Sequence, residues 1–304
     1  MTSATAYDEM ALIGELAAEL DVPLAGRQVR RVEWAGGGRR ISGLRWGTDE
    51  PVIVLLHGGS LNAHSWDAML LLHDIPALAL DLPGHGRSSW FDEPLYLPEA
   101  LSAAVAPVVA DLAPGAAAVV GHSLGGLAAL ALAASRPELV PRLVLVDTSP
   151  GSTPDRSQEI LDFVADAEFE SLEAAIDHAS AYRPRRTRAA LRRSLLHNTR
   201  EREDGRWTWR HDARPHPTRD RWEVMFEVLP KGWDHAALVG CPTLLVRGER
   251  SPIVTVDDVD HYRAVVADLR VEQIAGAGHN IHGEQPGALG STITAFLDVE
   301  GGGG

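Results

Sequence analysis

The chain has 304 residues, enough to bury a sizeable core as one large α/β domain or as a domain carrying an inserted subdomain. Apolar residues make up 45%, as in globular proteins, and 28 Lys and Arg against 42 Asp and Glu leave a net charge of -14, which argues against a general nucleic-acid surface. The single cysteine, Cys241, excludes an intrachain disulfide and a thiolate metal cluster, and its place ahead of an apolar run reads as a small residue before a buried strand.

Met1 to Asp8 lacks a basic region followed by a long apolar core, and no later segment reaches the roughly 18 continuous apolar residues of a membrane span. The expectation is a cytoplasmic protein with no membrane partner. Met10 to Leu20 has apolar residues at helical spacing with acids on the other side, so a short amphipathic helix is predicted within a 1–29 extension. It has three candidate roles: packing on the core, covering a pocket, or joining two subunits as a homo-oligomer.

Arg30 to Trp34 and Arg39 to Trp46 read as strands joined in a hairpin by Gly36-Gly37-Gly38. The unbroken apolar run Pro51 to Leu56 predicts a buried strand ending in His57-Gly58-Gly59-Ser60, and Trp66 is expected nearby. Ala77 to Leu80 is the next strand, closed by the tight loop Asp81 to Ser88, in which His85 reads as structural. A helix over Pro98 to Leu112 leads to a strand ending at Val120, then Gly121-His122-Ser123-Leu124-Gly125-Gly126 and a helical run from Leu127. Strand, sharp turn and helix around a serine flanked by glycines form the nucleophile-elbow pattern, whose first helical turn offers unpaired N–H groups to a developing oxyanion. The alternating strands and helices indicate a mainly parallel α/β sheet.

Leu143 to Val146 is a further central strand, ending in Asp147. The pattern then changes. Helical segments over Glu159 to Phe169 and Leu172 to His178 precede a stretch with Arg183, Arg185, Arg186, Arg188, Arg192 and Arg193, followed by Gly205, Trp207, Trp209, His211, Pro215, Pro217 and Trp222. This reads as a helical insertion over the sheet, most of its charges forming a solvated face. Thr243 to Val246 resumes the sheet; a helix over Val256 to Leu269, a strand over Val271 to Ile274 and a helix over Leu289 to Leu297 complete it. Gly301 to Gly304 is expected to be a flexible tail.

A serine needs a base to take its proton. Gly276-Ala277-Gly278-His279-Asn280, directly after the last strand, offers His279, with His282 close behind. An acid must then hold the imidazole tautomer. The histidines show no metal-ligand spacing, so no metal or other cofactor is expected.

At His57-Gly58-Gly59, Asp81 to Ser88, Gly121 to Gly126 and Gly278-His279, occurring in that order, the chain resembles the serine members of the α/β-hydrolase fold family, in its lid-bearing group of esterases and C–C hydrolases. The resemblance implies a mainly parallel central sheet with helices on both faces. The core would comprise 30–150 and 236–299, with a helical lid over 151–235 and a tail over 300–304. It implies Ser123 as nucleophile, His279 as base, and the backbone amides of Gly59 and Leu124 as oxyanion donors. Relatives such as epoxide hydrolases and haloalkane dehalogenases carry an aspartate where Ser123 stands, which disfavours those activities. The commonest family pattern has an aspartate where this chain has Ser251. Asp147 matches an alternative acid position used by some members; Glu249, reaching in from a shifted loop, a more distant acid, or a weakened dyad are the other readings. The expected activity is hydrolysis of a largely apolar carboxylic ester or lactone. A C–C hydrolase of vinylogous keto acids and a non-catalytic ligand-binding protein are the alternatives.

Overall fold

The computed structural model describes residues 7–24, 26–165, 168–183 and 186–298. Its strands are β1 (Val29–Gly36), β2 (Arg39–Trp46), β3 (Ile53–Leu56), β4 (Ala77–Leu80), β5 (Ala118–His122), β6 (Leu143–Val146), β7 (Glu168–Phe169), β8 (Thr199–Glu201), β9 (Trp207–Trp209), β10 (Thr243–Gly248) and β11 (Leu269–Ile274). Eight of them form one sheet in the order β1-β2-β4-β3-β5-β6-β10-β11. The β1–β2 hairpin and the β2–β4 pairing are antiparallel, and every pairing from β4 to β11 is parallel.

Period-two alternation explains why the parallel strands read as unbroken apolar runs: both faces are covered. Val54, Leu56, Leu78, Leu80, Val119, Leu143, Leu145 and Leu245 enter one buried cluster. Their neighbours Ile53, Leu55, Ala77, Ala79, Val120, Val144, Val146, Leu244 and Val246 enter a second on the opposite face. The flanking helices are α1 (Glu9–Glu19), α2 (Asp67–His73), α3 (Pro98–Leu112) and α4 (Leu124–Ser135). Between β6 and β10 come α5 (Pro154–Ala165), α6 (Leu172–Tyr182), α7 (Arg188–Asn198), α8 (Arg221–Val228) and α9 (Gly232–Leu238), and after β10 come α10 (Val256–Val265), α11 (Ile281–Glu284) and α12 (Pro286–Asp298). Residues of α3, α4, α9 and α10 join the first cluster, and those of α1, α2 and α12 the second.

The insertion departs from an all-helical reading. The segment expected as helix through Phe169 stops at Ala165, and Phe169 instead pairs with Trp207 in a small antiparallel sheet of order β7-β9-β8. The turn Asp204-Gly205 between β8 and β9, followed by the alternating Trp207-Thr208-Trp209, is the hairpin signal in the sequence. Phe169, Ile176, Leu191, Leu195 and Trp209 give the insertion a buried cluster of its own. The boundary drawn at 235/236 falls inside α9, and Ala236 belongs to the sheet's first cluster. The helix expected to reach Leu269 ends at Val265, because Leu269 already opens β11. Arg185 and the tail 300–304 lie outside the described residues.

The amphipathic helix α1 lies against α2, burying Leu12, Ile13 and Ala17. Asp8 caps it, accepting from Met10 N at 3.0 Å and Ala11 N at 3.1 Å. Glu9 meets Arg31 at 2.6 Å, Arg87 at 3.1 Å and His64 at 3.3 Å, while the other nitrogen of His64 meets Asp67 at 2.7 Å. Burial opposes charge on Glu9, but hydrogen bonds from His64 and Arg31 outweigh it and bring its pKa down to about 2. Burial likewise opposes charge on His64, and the carboxylates of Asp67 and Glu9 overcome it, raising its pKa to about 9. From the other side, the Tyr7 hydroxyl bonds His197 Nδ1 at 2.8 Å and Glu19 bonds Arg193 at 2.6 Å. The N-terminal helix therefore straps the insertion to the sheet.

Replacing Glu9 by Gln removes the charge from this junction and is expected to lower the unfolding free energy by about 1.5–3 kcal/mol. Glu15→Gln, whose 3.8 Å pairing with Arg192 is exposed, should change it by less than about 0.5 kcal/mol. Urea denaturation of the two variants checks the contrast. The His64 contribution is fully present below pH 6.5 and should fade as pH rises through about 9.

Candidate active site

Strand β5 ends at His122 and α4 begins at Leu124, so Ser123 alone makes the turn, with φ 50° and ψ -118°. A side chain held in this sparsely populated region is fixed by its surroundings: its N–H donates to Val146 O at 3.1 Å and its C=O accepts from Leu127 N at 3.0 Å. The flanking glycines have a steric reason. A Cβ on Gly121 would overlap the Gly125 carbonyl, and one on Gly125 would overlap the carbonyl oxygens of Leu56 and His57.

His279 lies on the loop after β11, and its Nδ1 is 2.7 Å from Asp147 Oδ2. Asp147 is fully buried at the end of β6 with φ 46°. Its Oδ1 accepts from Gly248 N at 3.0 Å, and its Oδ2 also accepts from the Ser251 hydroxyl. The serine at the usual acid position is thus a donor to the carboxylate at the alternative position. Glu249 takes no part: it is exposed, and its carboxylate accepts from Gly276 N at 2.7 Å. With Nδ1 occupied, Nε2 is the imidazole nitrogen left for a serine proton.

Gly59 stands beside the start of α4, where a Cβ on it would be 3.8 Å from Leu124 Cδ2. Ser123, His279, Gly59 and Leu124 all line one cavity of about 170 Å³, roofed by Ile160, Phe163, Trp222, Met225, Phe226 and Leu229 of the insertion. The roof is apolar, as expected of a site for an apolar acyl or alcohol group.

Three buried histidines hold the loops around this cavity. His57 Nε2 accepts from Leu82 N at 2.9 Å while its Nδ1 bonds Gly58 O at 2.7 Å. His85 Nε2 accepts from Ser60 N at 3.1 Å while its Nδ1 bonds Pro83 O at 3.0 Å. His122 Nε2 donates to the His279 carbonyl at 2.9 Å, joining the end of β5 to the loop after β11. The accepting nitrogens of His57 and His85 require the neutral ring, and burial lowers the pKa of all three histidines. The structural reading of His85 extends to a role in placing the Gly59-Ser60 turn. That role was hidden in the sequence because it depends on a contact across 25 positions.

His282 is not placed as a second base: it is buried on α11 with its ring 4.6 Å from that of His122. His211, from the insertion, is 5% exposed, lines the cavity and has no hydrogen-bond partner on either ring nitrogen among the described residues. Composition carries no signal for such a group. Among the described residues, His64, Asp67 and His197 are the one group whose ligand atoms converge closely enough for a metal. His64 Nδ1 is committed to Asp67 and His197 Nδ1 to Tyr7, and the raised pKa of His64 sets a proton against a metal there.

Among known proteins, the profile described as "Alpha/beta hydrolase family" matches residues 53–290. The sequence is 38% identical to esterase Rv0045c of Mycobacterium tuberculosis over 303 residues, covering 97% of each chain. The crystal structure of that esterase superposes with a TM-score of 0.83 at 39% identity, covering 98% of this chain and 100% of the other. Esterase YbfF of Escherichia coli is 29% identical (81% of this chain, 92% of the relative), and the mouse sn-1-specific diacylglycerol lipase ABHD11 is 28% identical (81% of each). No helix among the described residues is long and apolar enough to cross a membrane.

Buried neutral histidines make the fold sensitive to acid. Below pH 6.5 the unfolded chain takes up protons that the folded rings refuse, so stability is complete above that value and falls as pH drops. Burial, aided by Arg186, lowers the His282 pKa to about 3. Each such ring should add a slope of up to about 1.4 kcal/mol per pH unit. Urea midpoints between pH 7 and 5 measure the slope, and His282→Gln should flatten it.

Proposed function

Because the chain belongs to the alpha/beta hydrolase family and is an esterase of that family, we propose that it cleaves carboxylic esters through an acyl-enzyme on Ser123, with His279 as base and Asp147 as the acid that orients it. The observation that carries this reading is the 2.7 Å contact of His279 Nδ1 with the buried Asp147 carboxylate, on the cavity that Ser123 also lines.

In this mechanism Ser123 Oγ attacks the ester carbonyl as its proton passes to His279 Nε2. The backbone N–H groups of Gly59 and Leu124 hold the oxyanion; Leu124 N opens a helix and so has no helical acceptor of its own. Asp147 keeps the Nδ1–H tautomer and offsets the imidazolium charge. The proton then moves from Nε2 to the departing alkoxide, leaving acyl-Ser123. A water molecule, deprotonated by His279, attacks the acyl carbon and releases the acid and Ser123.

The insertion's apolar roof favours bulky, largely apolar substrates, and the mouse diacylglycerol lipase is a relative whose named substrate has that character. A lactone suits the same chemistry, since its leaving alcohol remains tethered after ring opening. A second reading, C–C hydrolysis of a vinylogous keto acid, is favoured by Arg221. It lines the cavity, and its one hydrogen bond among the described residues goes to a backbone carbonyl, Asp212 O at 3.0 Å.

Time-resolved mass spectrometry across simple esters, small lactones, macrolactones and vinylogous keto acids separates these readings, with Ser123→Ala as control. Serine-dependent ester or lactone cleavage supports the first, keto-acid cleavage the second, and no turnover leaves a ligand-binding protein. Asp147→Asn should reduce kcat by about 10⁴-fold. Ser251→Ala, losing one hydrogen bond to the carboxylate, should reduce it about tenfold, and Glu249→Gln should stay within about twofold. Near-normal turnover in a folded Asp147→Asn would sink the acid assignment.

A further inference from the structure

Behind the base loop lies a second cavity of about 200 Å³, enclosed by α1, the start of the β3–α2 connection, α7 and α11. It shares Phe163, Arg183 and Asn280 with the first cavity. It is lined by Arg183 and by two further arginines that the first cavity lacks, Arg186 and Arg193, together with His282. Two of the arginines are matched: Arg183 bonds Glu159 at 2.8 Å and Arg193 bonds Glu19 at 2.6 Å. Of the carboxylates on the cavity, Glu19 is thereby used and Asp67 is held by His64.

Arg186 is the exception: among the described residues its side chain makes no ion pair and no hydrogen bond, and Glu284 and Glu19 act on its charge only from a distance. Its Cζ lies against Gly283, where a Cβ would be 3.8 Å away. Glu284, the nearby acid, is taken up by Gly278 N at 3.0 Å. His282, 5% exposed, borders the same cavity. A guanidinium with no side-chain hydrogen bond is costly there unless an anion completes it.

The three arginines come from the turn after α6 and from α7. A carboxylate presents two oxygens in one plane, whereas a phosphate presents oxygens tetrahedrally, and arginine pairs with it in bidentate fashion. We propose that the second cavity is a phosphate-binding site anchored by Arg186. The phosphate is either free or the terminal group of an ester's leaving alcohol. With its amide turned so that the oxygen faces Arg183, Asn280 accepts from Arg183 Nε and Nη2 at 3.1 Å, so this cavity borders the residue next to His279.

Isothermal titration of the full chain with inorganic phosphate, at fixed ionic strength and pH 7.5, tests the site without relying on hydrolysis. Saturable one-to-one binding is expected in the wild type and in Ser123→Ala. It should weaken at least tenfold in Arg186→Gln and in Arg186→Met, and persist within a few-fold in Arg186→Lys. Two neutral variants guard against a folding defect in one. Absence of saturable binding, or undiminished affinity in a folded neutral variant, overturns the proposal. The source of the phosphate follows from hexanoate esters of propanediol with and without a phosphate on the free hydroxyl. A tenfold preference in kcat/KM for the phosphorylated ester, lost in Arg186→Gln, assigns the site to the substrate. Equal use of both, with titration intact, assigns it to free phosphate. Failure of either ester to react would count against the proposed hydrolysis and leave the binding result standing.

Discussion

A carboxylate with no exposure to water is tolerated only where donors replace the water it has lost, and the arrangement around Asp147 follows from that requirement. Gly248 N satisfies one oxygen, and the Ser251 hydroxyl and His279 Nδ1 share the other. These donors come from the end of β10, the loop beyond it and the loop after β11. Meeting the needs of one buried charge therefore ties together the C-terminal edges of three neighbouring strands. The left-handed backbone at Asp147 and the strained turn at Ser123 follow adjacent strands, β6 and β5, so the two segments are braced by the same sheet.

Around that junction the protein sorts its histidines by environment. His57, His85 and His122 are enclosed by backbone groups, stay neutral and work as struts: one nitrogen of each serves a loop that carries a site residue or its neighbour. His64, equally enclosed, lies between two carboxylates and carries charge. The same side chain is thus an uncharged spacer beside the Gly59-Ser60 turn and a cation beside the N-terminal helix. The difference lies entirely in what packs against it.

The insertion and the N-terminal helix are the parts least like a generic sheet-and-helix core, and they are linked. Tyr7 and Glu19 reach the insertion while Glu9 reaches the sheet, so the strap and the roof of the cavity are held in a common frame. Between them lies the cavity that Arg186 and Arg193 line, which shares Phe163, Arg183 and Asn280 with the larger apolar surface around Ser123.

The sheet, the helices on its two faces, the nucleophile turn and the position of His279 were legible in the sequence, because each rests on a local pattern: apolar runs, glycines around a serine, a histidine just past the last strand. Of the insertion's short strands only the β8–β9 hairpin left a local signal, at Asp204-Gly205; the two-residue β7 carries no periodicity and exists only by pairing with β9. For the acid, the sequence favoured Asp147 over Glu249 and left a more distant acid open. Which of them meets His279 depended on how β6, β10 and β11 lie side by side, a relation between residues more than a hundred positions apart. The struts provided by His85 and His122, the unpartnered His211 and the unmatched Arg186 are likewise products of long-range packing. Local sequence determined which chemistry the chain carries; the tertiary structure decided which groups share a buried space, because burial and partnership belong to the folded arrangement and not to any single stretch of chain.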